Sequence, residues 1–387
     1  MTRPTTTWWR TALDHPRKLW LRRVLFQVHL WLGVGLSLYM VAIALSGALL
    51  VYREALTRTT LPAGLHAFDP QQEAGVEQVV AAAERRFPGA KISLLTLPTP
   101  VLPVFQLEMT SARGAEFDAI ADAQNGQVLP APRTWMDVVY DFHLYLLLGQ
   151  KHGMQYNGAG AVALLLLAVT GLPLWWRGRR GWWHALTFSL RHGWRRIHFD
   201  LHHAIGIWTL AIVSWWGVSG IYFAWFAPVA RAVNAVSPLK SMVAPTPRPL
   251  AAGAEMRPAV PLAQALAAAQ KASPQGHLSA VGNATQAPGD DLWVYMDLRA
   301  PGDFSHRDIV RVGRDGQVRS VWHYGANRSA GDWFLWAMHP LHFGTLWGPW
   351  VRALWCLVGV GLAVLTVTGV LMYWNRFLRH RWRALRA

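Results

Sequence analysis

The stretches HLWLGVGLSLYMVAIALSG (residues 29–47) and HHAIGIWTLAIVSWWGVSG (residues 202–220) both begin with His, have Gly four residues on, and close on Ser-Gly. Neither contains an Asp, Glu, Lys or Arg. Each belongs to an apolar run long enough to cross a bilayer, which takes roughly 20 residues. Two further runs end alike, as Thr170-Gly171-Leu172-Pro173-Leu174-Trp175-Trp176 and Thr368-Gly369-Val370-Leu371-Met372-Tyr373-Trp374. The four spans read as residues 24–52, 158–176, 201–226 and 351–374. The order is span, long loop, span, twice over, the mark of an internal duplication.

Composition supports a membrane protein. Of 387 residues, 52% are hydrophobic and 15% charged, against about 25% charged in a soluble domain. Disorder and collagen-like repeats do not fit this composition, and the single Cys cannot form an internal disulfide. The net charge of +16 is concentrated beside the spans. Residues 1–23 carry Arg3, Arg10, Arg17, Lys18, Arg22 and Arg23; residues 177–200 carry Arg177, Arg179, Arg180, Arg191, Arg195 and Arg196. Residues 375–387 carry Arg376, Arg379, Arg381, Arg383 and Arg386, and the only acids in these segments are Asp14 and Asp200. The positive-inside rule then places both termini and the middle segment in the cytoplasm, with both long loops outside. The basic excess reads as topology and contact with the lipid bilayer, and no nucleic acid is expected. The first span is nearly twice a secretory h-region, and no small-residue cleavage site follows Leu50-Val51-Tyr52-Arg53-Glu54, so it reads as a retained anchor.

The expected fold class is therefore membrane α-helical with α+β periplasmic domains: four transmembrane helices in two parallel repeats, each repeat carrying one α+β domain in its outside loop. The first domain covers residues 53–134, followed by an interfacial helix at 135–157; the second, with its own interfacial segment, covers 227–350. Apolar periodicity predicts helices at 75–87 and 261–271. Alternation predicts strands at 91–97, 104–109, 116–121, 277–281, 292–298, 308–312 and 317–322. The Pro- and Ala-rich stretch 237–261 reads as an irregular linker.

Four of the 16 His occupy matched positions. His29 and His202 lie just inside the cytoplasmic ends of the first and third spans. His143 and His342 lie on the outside, shortly before the second and fourth. A single His at a membrane boundary is readily satisfied by lipid or water. Parallel repeats, however, set His29 opposite His202 and His143 opposite His342, the arrangement of two bis-His haems. Gly33 and Gly206 sit one turn along from His29 and His202, where a missing side chain leaves room for a porphyrin. No Cys-x-x-Cys-His is present, which rules out c-type attachment. An imidazole pair without Cys or carboxylate partners makes a poor zinc site. His203 beside His202 and His339 one turn before His342 are alternative ligands, and His198 and His152 are weaker ones. The chain has no dinucleotide fingerprint, P-loop, Gly-x-Ser-x-Gly or His-Glu-x-x-His. Few ionisable groups lie deep in the spans, which weakens a transporter reading.

With His29…Gly33…Ser46-Gly47, Asp200-Leu201-His202…Gly206, Phe142-His143, Pro340-Leu341-His342-Phe343-Gly344 and the two Thr-Gly…Trp endings in order, the chain resembles the PepSY-associated transmembrane family. It is similar there to the siderophore-iron reductase type, as in ferrioxamine reductase. The resemblance implies PepSY modules outside and two haem b groups with their iron on His29, His202, His143 and His342. It also implies a bacterial inner-membrane location and an oxidoreductase activity that reduces a ferric siderophore in the periplasm. Some relatives carry a fused flavoprotein domain; this chain stops at Ala387, so electrons are expected from a separate cytoplasmic reductase or from quinol. Trp322, Tyr324, Trp333 and Trp336 are candidates to line a siderophore dock between the outside domains, beside a packing role on the membrane surface. Three other readings stay open: a quinone-linked cytochrome with another periplasmic acceptor, a haem-free membrane module regulating a secreted peptidase, and an iron-chelate permease.

Overall fold

The computed structural model describes the chain apart from residues 1–12, 15–18, 66–68, 70–72, 179–181, 190, 192, 241–259, 286–289, 301, 327, 380, 381 and 383–387. Arg3, Arg10, Arg17, Lys18, Arg179, Arg180, Arg381, Arg383, Arg386 and most of the expected linker lie outside the described residues. In chain order the helices discussed below are α1 (Trp20–Gly35), α2 (Ser37–Leu50), α3 (Val76–Arg86), α4 (Trp135–Tyr145) and α5 (Gln150–Trp175). They continue as α6 (Trp194–Ala224), α7 (Phe226–Val236), α8 (Leu262–Ala272), α9 (Ala330–Phe343) and α10 (Pro349–Tyr373). The chain divides into two units: Met1–Tyr52, Asp137–Ala232 and Ala337–Ala387 form one, Arg53–Met136 and Val233–Trp336 the other.

In the first unit, α5, α6 and α10 are each long and apolar enough to cross a membrane, and α1 with α2 makes a fourth span if the bent pair is counted as one. The stretch read as a single first span is thus two helices, bent by 67°. The break falls at Leu36, whose φ of −104° and ψ of 11° leave the helical region. The cause is local: Gly35 weakens the helix, and Ser37 Oγ donates to Val34 O at 2.9 Å, competing with the backbone ladder. Large apolar side chains such as Trp31, Leu38, Leu166, Trp208 and Leu357 are exposed, as a lipid-facing surface requires. Between helices, small residues allow close approach. A Cβ on Gly359 would come within 3.0 Å of Ala48, and one on Gly158 within 2.5 Å of Ala224. Ala44, Val213, Val358, Leu362 and Ala363 fill the interior there.

The second unit is one eight-stranded antiparallel sheet in the order β4-β3-β2-β1-β5-β6-β7-β8. The strands are β1 (Lys91–Thr96), β2 (Val104–Thr110), β3 (Glu116–Asp122), β4 (Val128–Pro130), β5 (His277–Gly282), β6 (Leu292–Asp297), β7 (Arg307–Val312) and β8 (Val318–Trp322). Phe105, Leu107 and Met109 are buried while Gln106 and Glu108 are exposed, the period of two that marks one core face. Onto that face pack Val79 and Ala83 of α3 and Ala265 and Ala269 of α8.

The sheet corrects the expectation of two separate α+β domains. Leu95 of β1 pairs with Val281 of β5, so the two outside segments share one sheet and one core. Left apart, β1 and β5 would each present an open edge with unpaired backbone groups. β4, which the sequence reading omits, pairs with β3 through Ala119–Pro130, Ile120–Leu129 and Ala121–Val128.

Candidate functional site

His29 on α1 and His202 on α6 are brought together, with ring centroids 6.3 Å apart and planes at 88°. Two imidazoles sharing one metal by bonds of about 2.0 Å would place their centroids roughly 6 Å apart. The pair opens into a cavity of about 920 Å³ that Gly33, Gly206 and His203 also line, a volume within the range of cofactor sites. A Cβ on Gly33 or Gly206 would meet only ordinary contacts, Leu167 Cδ2 at 3.8 Å and Leu365 Cδ1 at 3.6 Å. Neither glycine is therefore required by helix packing, and both leave the cavity wider.

The rim is cationic. Arg22, Arg23, Arg177, Arg195 and Arg376 line the cavity, and no Asp or Glu does so among the described residues. Arg22 is fixed there because its guanidinium donates to Leu174 O at 2.6 Å and Trp176 O at 3.0 Å, capping the C-terminal end of α5. An apolar cavity with two facing imidazoles and an arginine rim fits a flat amphipathic dianion that carries a metal, which is the chemistry of haem b.

His143 and His342 lie within electrostatic reach of each other. His143 lies in the last turn of α4, and His342 in the last turn of α9. The α4 carbonyls are tied down by Asn157, whose Nδ2 donates to His143 O at 2.6 Å, while Tyr39 donates to Asn157 Oδ1 at 2.6 Å. In α9, Trp216 Nε1 donates to His342 O at 3.2 Å and Trp355 Nε1 to Leu341 O at 2.7 Å.

All four imidazoles present Nδ1 to a hydroxyl on a neighbouring helix. The distances are 3.0 Å for His29 and Thr170, 3.3 Å for His202 and Thr368, 3.0 Å for His143 and Ser46, and 2.7 Å for His342 and Ser219. Each hydroxyl residue is followed by Gly. A Cβ on Gly47, Gly171 or Gly369 would lie 2.9, 3.3 or 3.2 Å from the imidazole Cε1 of His143, His29 or His202. Gly220 differs, since its Cβ would meet Ala161 at 2.8 Å. These Ser-Gly and Thr-Gly pairs served the sequence reading as marks of repetition without a chemical role. The available signal was a hydroxyl-glycine pair on every span.

Of the other candidates His203 also lines the His29–His202 cavity, and the rest fall elsewhere. His203 Nδ1 bonds Phe199 O of its own helix at 2.8 Å. His339 is exposed, its ring 4.8 Å from Phe223. His198 packs on Trp194 at 5.1 Å, and His152 is exposed near the start of α5. Tyr324, Trp333 and Trp336 gather around the Arg328 guanidinium at 4.8, 4.7 and 5.9 Å. Burial pushes the Tyr324 phenol up and the Arg328 guanidinium down from their ordinary values. Trp322 stands apart from that cluster, against Trp293 at 5.8 Å.

Among the described residues, three or four helices apolar enough to cross a membrane, with one eight-stranded antiparallel sheet, define the class as a membrane protein that also carries a sheet unit. The family described as the PepSY-associated TM region matches residues 26–376, and the chain belongs to it. No curated protein matches the chain.

Proposed function

We propose that this protein is a di-haem b oxidoreductase of a bacterial inner membrane that delivers electrons to ferric siderophores in the periplasm. The observation that carries the reading is the His29–His202 pair, 6.3 Å between centroids, opening into a cavity with an arginine rim. The layout proposed with it is two parallel repeats. The recurrent hydroxyl-to-imidazole bonds, Thr170 with His29 and Thr368 with His202, Ser46 with His143 and Ser219 with His342, support it. Both termini and the basic segment 177–200 would be cytoplasmic, and the sheet unit periplasmic.

Bound haem would supply one-electron redox chemistry, with both imidazoles of a pair committed to its iron. Residues of this chain do the rest. His29 and His202 would hold one haem iron, and His143 and His342, preferred to the exposed His339, would hold the second. Arg23, Arg177, Arg195 and Arg376 would receive the carboxylates at the first site, with Arg22 adding positive charge while it caps α5, and Phe26, Leu167 and Leu365 would keep water out. The two levels are separated by the span itself: His202 and Ser219 are on the same helix α6, about 25 Å apart along its axis at 1.5 Å per residue. Each ferric ion accepts one electron, and ferrous iron is held less tightly by hard oxygen donors, so reduction would free it from the chelator.

The test is anaerobic. Reduced protein in proteoliposomes is mixed with a ferric hydroxamate, and ferrous iron is followed with a ferrous-specific dye. Iron release that disappears in the His143→Ala/His342→Ala variant is expected. Release that is unchanged in that variant would rule out the second pair as part of the path.

A further inference from the structure

Resting on the haem reading above, we propose that Ser46, Thr170, Ser219 and Thr368 are positioning residues that fix the tautomer of the four imidazoles and strengthen them as metal donors. A hydroxyl has one hydrogen to give. Thr170 points its hydrogen to Leu166 O at 2.6 Å, and Leu167 O lies at 3.2 Å. Towards His29 Nδ1 it therefore offers only lone pairs. Thr368 has Val364 O at 2.9 Å and Leu365 O at 2.8 Å. Ser219 has Trp215 O at 2.7 Å, and Ser46 has Ile43 O at 3.1 Å. In all four cases a helix carbonyl stands within reach to take the hydroxyl hydrogen, which leaves the imidazole Nδ1 to donate. At His202 the conclusion stands independently, since Nδ1 also faces Leu365 O at 2.9 Å and a carbonyl only accepts.

A neutral imidazole with its proton on Nδ1 keeps the Nε2 lone pair free for a metal. A hydrogen bond accepted from Nδ1–H also raises the basicity of the ring as a ligand. That favours ferric over ferrous iron and lowers the potential of the site. The following glycine completes the device at three of the positions, because a Cβ on Gly47, Gly171 or Gly369 would press on the imidazole Cε1 at 2.9, 3.3 or 3.2 Å.

The test is a reductive titration of the purified holoprotein. Thr170→Val with Thr368→Val removes both inner hydroxyls and keeps the side-chain shape; Ser46→Ala with Ser219→Ala does the same for the outer pair. Each double variant should keep its haem and shift one haem upward by about tenfold in the ferric-to-ferrous affinity ratio, roughly 59 mV for one electron. Thr170→Ser with Thr368→Ser should restore the wild-type potential. In the reduced protein, ¹⁵N-histidine spectra should show slowly exchanging Nδ1–H protons in the wild type that exchange faster in the variants. That reading of the wild type stands even if one variant does not fold. Two haems with potentials and Nδ1–H exchange unmoved in the variants would overturn this inference alone. Wild-type protein that binds no haem would remove both the function reading and this inference.

Discussion

His143 and His342 lie in the last turns of two helices that are held in different ways. The terminal carbonyls of α4 are bound by the Asn157 amide, which leans on Tyr39; those of α9 are bound by the Trp216 and Trp355 indoles. The turns beyond also differ. After α4 the chain passes through left-handed conformations at Leu146 (φ 53°), Leu147 (φ 59°) and Gly149 (φ 75°); after α9 it does so at Gly344 (φ 67°), Trp347 (φ 64°) and Gly348 (φ 87°). On the Nδ1 side of the ring nothing differs in kind, with a Ser hydroxyl facing each imidazole. Any donor at the right height can satisfy a helix carbonyl, so those residues are interchangeable. The ring nitrogen needs an acceptor that has already spent its own hydrogen, and both halves meet that need in the same way.

The largest expected effects come from removing the imidazoles. His29→Ala/His202→Ala and His143→Ala/His342→Ala should each lose one of two haems by pyridine haemochromogen, and all four changes together should give a colourless protein. A His203→Ala or His339→Ala change should leave both. Loss of a haem in either of these would move the ligand assignment to that residue.

Next are the glycines, which separate the two kinds of space around the inner pair. Gly171→Ala and Gly369→Ala push a methyl into an imidazole at 3.3 and 3.2 Å, and should destabilise the protein by about 1–3 kcal/mol through overpacking. Gly33→Ala and Gly206→Ala meet only ordinary contacts with protein, and should leave thermal stability of the haem-free form within about 0.5 kcal/mol while weakening haem retention. Equal effects from both sets would erase the distinction.

The donors of the helix carbonyls give a smaller contrast. Asn157→Ala leaves two carbonyls and the Tyr39 hydroxyl to find new partners, a cost of about 1–3 kcal/mol. Trp216→Phe loses one hydrogen bond together with the pyrrole part of the indole, and the bond alone costs about 1 kcal/mol. Thermal unfolding in detergent measures both. A Trp216→Phe cost above that of Asn157→Ala would mean that the second half depends on its donor more than the first.

The sheet offers a comparison readable by pH. On the first half Glu108, exposed on the sheet's outer face yet partly desolvated there, lies beside Asp118 and Glu116; that partial loss of hydration first, then those two carboxylates, raises its affinity for a proton, with Arg53 opposing. On the second half the acids are paired, Asp297 with Arg307 at 3.0 Å and Asp291 with Arg311 at 2.7 Å. A carboxyl whose folded value is raised contributes stability that is fully present below its unfolded value, near 4.5, and lost as pH rises through the folded value. Glu108→Gln should therefore remove a loss of stability that begins just above pH 4.5, seen in denaturant titrations at pH 4 and pH 7. An unchanged difference between those two titrations would place the dependence elsewhere.

Much of this was legible before any coordinates. Long apolar runs, paired His and the charge bias need only composition and spacing, and the helices Val76–Arg86 and Leu262–Ala272 fall within a residue of the periodic patterns. The pairing of β1 with β5 was not, because periodicity tells which face of a strand is buried and nothing about which strand lies beside it. The bend at Leu36 depends on one Ser side chain competing with the backbone, a local event that a hydropathy window averages away. The hydroxyls facing the imidazoles are single bonds between residues 97 to 166 positions apart, which only the packed helices bring within reach.

The most direct measurement is the optical spectrum of the detergent-purified protein, oxidised and dithionite-reduced, with haem quantified as the pyridine haemochromogen. Low-spin b-type bands at about two haems per chain are predicted, as four axial His in two pairs require. A protein that stays colourless after expression with added haem would contradict the paired-imidazole account, and with it the proposed electron transfer.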